Sequence, residues 1–178
     1  GSILKVAQIT AKGELDIAHY KSLLTERTKI VSLVHTSNTL GTTNPIKELI
    51  QMAHAVGAKF CVDAAQSVAH MKVDVQDLDC DFLVFSSHKL FGPNAFGALY
   101  GKEDLLNLMP PYQGGGAMIS EVTFEKTTYN ILPNKFEAGT PPIAEAIAFK
   151  SALDYIQSIG LENIEKYEHE LTDYALKR

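Results

Sequence analysis

Four residues that can do chemistry stand in a row in LVFSSHKLFGP, residues 83–93: Ser86, Ser87, His88 and Lys89. They follow an apolar run of branched and aromatic residues and precede Gly-Pro, the pattern of a strand that has reached the rim of its sheet. A lone lysine in that place reads as a solvated side chain. Its neighbours change the reading. Asp63 closes another apolar run 26 residues upstream, in VDAAQSVAH, with Gln66 just beyond it. His35 to Asn38 close a third, in HTSNTLG.

Bringing these groups together requires the right elements. TKIVSLVH (28–35), KFCVD (59–63) and DFLVFS (81–86) are predicted strands, and ILKVAQI (3–9) is a further candidate. Helices are predicted over 16–24, with Asp16 at the cap position, and over 44–58, with Asn44 as cap, Pro45 in the first turn and Gly57 as the stop. AFGALYG (95–101) follows its predecessor after a loop too short for a parallel crossover, which makes it an antiparallel strand. A short helix over 102–109 and longer ones over 143–159 and 161–177 complete the pattern. The long stretch from Pro110 to Thr140, with Gly114, Gly115 and Gly116, reads as a functional or mobile loop.

Strands alternating with helices give an α/β fold, a mainly parallel sheet covered by helices on both faces. All parallel strands then end at one edge, where ligands of open α/β sheets bind. An acid, amides, hydroxyls, an imidazole and a lysine on that edge suit a ligand with a protonatable ring nitrogen, a phosphate and an electrophilic carbon. Pyridoxal 5′-phosphate (PLP) has all three. Lys89 would attach it covalently, and Asp63 would keep its ring nitrogen protonated.

Composition bounds the alternatives. The chain has 178 residues, 46% of them hydrophobic, enough for one core of ordinary domain size. A net charge of −5 disfavours nucleic-acid or anionic-membrane partners. The sequence has no apolar run of membrane-spanning length and no signal-peptide pattern. Cys61 and Cys80 lie in or beside apolar runs and read as buried free thiols of a reducing, cytoplasmic compartment. His19, His54, His70 and His169 show no metal-ligand spacing, and His54 falls in a helix expected at the surface. Gly114 to Gly116 carry no recognised phosphate-binding pattern.

VDAAQSVAH followed by DCDFLVFSSHKLFGP resembles the PLP-binding core of the class V aminotransferase family, PLP fold type I. GGGAMI (114–119) and FEAGTPP (136–142) resemble its group II cysteine desulfurases and selenocysteine lyases, including the Suf type of iron–sulfur assembly. The resemblance implies roles. Lys89 matches the lysine that forms the Schiff base, Asp63 the partner of the pyridine nitrogen and Gln66 the side chain on the phenolic oxygen. Ser86 and His88 match phosphate ligands. Asn38 matches the amide that holds the substrate carboxylate. Thr140 matches a residue reaching the phosphate of the neighbouring subunit, which implies a homodimer. The implied reaction converts L-cysteine, or L-selenocysteine, to L-alanine and hands sulfur to an acceptor protein.

Several features depart from that pattern. Ser87 stands where the family often has glycine, PNAFG replaces a glycine-richer turn, and Lys135 stands where an arginine is common. The family's ring-stacking histidine, substrate arginine and sulfur-accepting cysteine are not found here. Residues 1–2 resemble an expression-tag scar, and residues 3–178 read as the central part of the PLP-binding large domain. Two other classes stay open: a different PLP reaction on the same scaffold, and an α/β module with no catalysis.

Overall fold

A computed structural model describes residues 1–178. A four-stranded sheet runs in spatial order β1 (Ile30–Val34), β2 (Lys59–Asp63), β3 (Phe82–Ser86) and β4 (Gly97–Gly101). The first three strands are parallel and β4 returns antiparallel to β3, as its short connection requires. The mainly parallel α/β reading holds.

Helix α1 (Ile17–Leu23) starts at Asp16, whose carboxylate accepts the His19 N–H at 2.9 Å. Helix α2 (Ile46–Ala55) buries Ile46, Leu49, Ile50 and Ala53, the one-sided spacing of an amphipathic helix. It stops at Gly57, whose φ of +78° suits a residue without Cβ. Its start differs from the expectation. Pro45 occupies the cap position, and the Asn44 amide instead donates to the Val34 carbonyl at 2.8 Å. Asn44 thus secures the end of β1 rather than the helix N-terminus.

Two short helices follow β2, α3 (Ser67–His70) and α4 (Val75–Leu78). After β4 come α5 (Glu103–Leu108), a small antiparallel pair β5 (Ile119–Val122) and β6 (Thr127–Tyr129), and the long helices α6 (Ile143–Ile159) and α7 (Leu161–Leu176). The stretch 110–140 therefore carries more regular structure than its composition suggested.

Two corrections concern the sheet. Residues 3–9 form no strand: only Ile9 pairs, in a single bridge to Leu15, and Ile3, Leu4 and Val6 stand exposed. No neighbouring strand takes up their backbone hydrogen bonds, so β propensity has nothing to act on. The helices also cover one face of the sheet rather than both. Val31, Leu33, Phe60, Val62, Leu83, Phe85 and Tyr100 point to the covered face and join the main core with α1 and α2. Phe85 also joins a second cluster around Leu90, Phe149 and Ile156, which seats α6 on that same face. The alternate residues line the other face, where Ile30 is 61% and Leu99 58% exposed. Asp63 and Ser86 belong to this open face.

Candidate active site

The strand register builds the site. Asp63 sits opposite Val34 on one side and Val84 on the other, and Ser86 lies two residues beyond Val84 on the same face. Ser86 is opposite Gly97, so the strand beside it presents no side chain. A Cβ on Gly97 would meet the Phe85 carbonyl oxygen at 2.7 Å, so only glycine fits there. Beyond Ser86 the chain turns into a single 3-10 turn, Ser87–Leu90, which carries His88 and Lys89 past the strand ends. Buried Ser87 and Leu90 fix the turn on either side of this pair.

Asp63 is half-buried, and one carboxylate oxygen accepts the Ala65 N–H at 2.9 Å. Gln66 lies just before α3, within the turn formed after β2. No side-chain hydrogen bond or ion pair engages Gln66, Ser86, His88 or Lys89. A row of uncommitted polar groups at the ends of adjacent strands has capacity for a polar ligand. The set fits PLP: an amine for its aldehyde, a carboxylate for its ring nitrogen, and hydroxyl and imidazole donors for its phosphate.

Asn38 lies at the tip of a tight loop after β1. Thr36 and Thr43 pair across its base, the Ser37 hydroxyl oxygen accepts from the Thr39 and Leu40 N–H groups, and Gly41 has φ +71°. This geometry leaves Asn38 exposed at the same end of the sheet as Asp63, in contact only with the Thr39 hydroxyl at 3.3 Å. Thr140 is placed differently. Its segment is held to the Gly114–Gly116 loop by the Gly139 N–H on the Gly116 carbonyl at 2.9 Å, and no hydrogen bond ties it to Asp63 or Lys89.

Neither cysteine suits nucleophilic work. Burial pushes the Cys61 thiol up, and the Asp63 charge adds to this, against a partly offsetting hydrogen bond with Ser32. Burial carries Cys80 up to about 11. Both stay protonated at neutral pH, and the thiolate is the reactive form.

Other charged groups escaped the sequence reading. His54 is not a free surface residue: its Nε2 lies 2.7 Å from the carboxylate of Asp81, which is 1% exposed. The same Asp81 oxygen, Oδ2, accepts the Phe60 N–H at 2.8 Å, and Lys59 and Lys102 stand 3.6 and 3.7 Å from the other, Oδ1. Burial alone would raise the Asp81 pKa, but the His54 and Phe60 hydrogen bonds and the nearby positive charges hold it below the usual carboxylate value. An acid opening an apolar strand was the available signal. The pair lies at the start of β3, the sheet edge opposite Lys89, so its role is structural. His35, at the end of β1, is buried with Nδ1 unpartnered. It lines a cavity of about 380 Å³ with Lys72, Val73, Asp74, Asp77 and Leu78, none of them a candidate site residue.

The family profile described as "Aminotransferase class-V" matches residues 1–178. The chain belongs to this family. Among curated proteins it is 54% identical over 174 residues to a probable cysteine desulfurase of Synechocystis sp., covering 98% of this chain and 41% of that protein. It is 51% identical over 178 residues to a cysteine desulfurase of Haloferax volcanii, covering 100% of this chain and 42% of that protein. The apo structure of the cysteine desulfurase from Thermococcus onnurineus superimposes with a TM-score of 0.91 at 37% identity, over 97% of this chain and 43% of that one. The chain thus spans about two fifths of the length of these relatives.

Proposed function

We propose that residues 3–178 are the central part of the large domain of a PLP-dependent cysteine desulfurase. The observation that carries this reading is the placement of Asp63 and Ser86 at the ends of two adjacent parallel strands, with Lys89 on the turn that follows and its side chain, like that of Ser86, without a hydrogen-bond partner. The cysteine desulfurases at about half identity over nearly the whole chain support the choice of reaction.

When bound, PLP supplies an electrophilic carbon and a protonated ring that draws electron density from the substrate's α-carbon. This chain's residues do the rest of what is proposed. The Lys89 amine would hold the cofactor and would move a proton at that α-carbon. The Asp63 carboxylate holds the proton on the ring nitrogen, using the oxygen that the Ala65 N–H leaves free. Gln66 donates its amide to the ring oxygen, Ser86 and His88 hold the phosphate, and Asn38 orients the substrate carboxylate. Thr140 serves the site of a second subunit, and the protein acts as a homodimer.

L-Cysteine is the proposed substrate and L-alanine the product, with L-selenocysteine as a second substrate of the same site. The sulfur-accepting thiol lies outside residues 1–178, because burial keeps Cys61 and Cys80 protonated. The group II motifs GGGAMI and FEAGTPP support a Suf-type acceptor protein and delivery to iron–sulfur clusters in the cytoplasm. The test is formation of alanine and sulfide from L-cysteine by the full-length gene product with PLP and a reductant. Lys89→Ala should abolish both. Turnover surviving in that variant would refute the reading.

A further inference from the structure

We propose that Ser87 is a positioning residue for Lys89, its hydroxyl fastening the lysine-bearing turn to the loop that returns into β4. The inference rests on the reading of Lys89 as the residue that holds PLP.

Ser87 is fully buried although polar. Its N–H donates to the Phe96 carbonyl at 3.0 Å, and its hydroxyl lies 2.9 Å from the same oxygen and in contact with the Pro93 carbonyl. A hydroxyl has one proton, so the two carbonyls share it. Its own carbonyl accepts from the Phe91 N–H and, at 2.9 Å, from the Gly92 N–H. Every polar group of Ser87 is engaged within the turn and its return loop. None is left for a ligand, unlike those of Ser86 and His88.

The return loop needs such a fastening. Phe91 and Ala95 adopt φ of +58° and +60°, a left-handed conformation that is unfavourable for residues bearing a Cβ. Gly92 between them is closely packed: a Cβ there would meet the Phe149 ring at 2.6 Å and the Ser87 carbonyl at 2.9 Å, so only glycine fits. The hydroxyl of Ser87 grips this loop at Pro93 and Phe96, on both sides of Ala95. Lys89 stands two residues beyond Ser87 and one before Leu90, which is buried against α6. Loosening the Ser87 end leaves only the Leu90 end to direct the lysine stem.

The test compares Ser87→Ala, alone and with Ala95→Gly, in the full-length protein. Without PLP, amide hydrogen exchange at Phe91 and Gly92 should speed up roughly tenfold in Ser87→Ala, the effect of leaving buried carbonyls short of a donor. Ala95→Gly should restore most of the protection by removing the strain. With PLP, the pH midpoint of the cofactor's visible band should move in Ser87→Ala. Borohydride label at Lys89 should also fall, and both should recover in the double variant. If Ser87→Ala does not fold, Ser87→Cys, with a weaker donor of similar shape, is read the same way. Unchanged exchange overturns the inference. So does faster exchange with the midpoint and label unchanged, which would make Ser87 structural only. Label absent from Lys89 in the unsubstituted protein refutes the cofactor reading and this inference with it. Label equal in the unsubstituted and Ser87→Ala proteins refutes this inference alone.

Discussion

Replacing Asp81 by alanine should be among the most damaging single changes in this chain, although it lies far from Lys89. The carboxylate is 1% exposed and satisfies the N–H of Phe60, itself at the centre of the core. Its loss leaves that donor buried without an acceptor, a cost of about 1–3 kcal/mol. It also strands His54, while Lys59 and Lys102 remain solvated and add little. By comparison with other broken buried pairs the total should be about 3 kcal/mol. For a chain of this size that lowers Tm by about 6–12 °C, measured by circular dichroism. Asp81→Asn keeps an acceptor for Phe60 and should lose only about half as much. The pH dependence follows from the sign of the shift. Because the folded carboxyl is held below its ordinary value, its contribution is complete above the unfolded carboxylate value and is lost as pH falls through the folded one. The gap between wild type and Asp81→Asn should therefore close as the solution is made more acid than about pH 4. An Asp81→Ala variant within about 0.5 kcal/mol of wild type, the range of an ordinary surface change, would refute this reasoning.

In the full-length protein, Asp63→Asn should still bind PLP but lose turnover by about 100-fold or more, because the ring proton is no longer held by a charge; near-normal turnover would make Asp63 a plain strand-end acid. Native Cys80, with its thiol near 11, should react with iodoacetamide at neutral pH far more slowly than the same thiol in denaturant, and faster as pH rises toward that value. Cys61 should behave the same way to a smaller degree, and equal native and denatured rates would contradict both. Residues 1–178 alone, given PLP, L-cysteine and reductant, should form no more alanine than their Lys89→Ala variant, since burial favours the protonated form of both thiols; sustained alanine above that control would show otherwise.

The strands that carry the site were legible because each is a short apolar run ended by polar residues, and parallel order follows from the helices between them. The antiparallel return of β4 followed from its short connection. What the sequence could not convey was which face a helix covers. Residues 3–9 have strand composition, yet a strand exists only where a neighbour pairs with it. His54 was misjudged because its partner Asp81 lies 27 residues away and meets it only once β2 and β3 are in register. Asn44 was misread, and the tertiary bonds of Ser87 were missed, for a related reason. Each uses its side chain on a carbonyl brought close by tertiary structure, at Val34 for the first and at Pro93 and Phe96 for the second. The candidate site residues stood out more readily than the supporting ones because polar groups at the ends of apolar runs are visible in the sequence as such.

The central claim is that Lys89 alone holds the cofactor, and reductive trapping tests it directly. Full-length protein loaded with PLP is reduced with borohydride, digested and mapped by mass spectrometry. The account predicts pyridoxyl label on the peptide containing Lys89 and on no other lysine in stoichiometric amount. Lys72 lines the cavity beside His35, and Lys102 is held by Asp79 at 2.5 Å. Label mainly on either of these, or spread across the lysines without preference, would contradict the account.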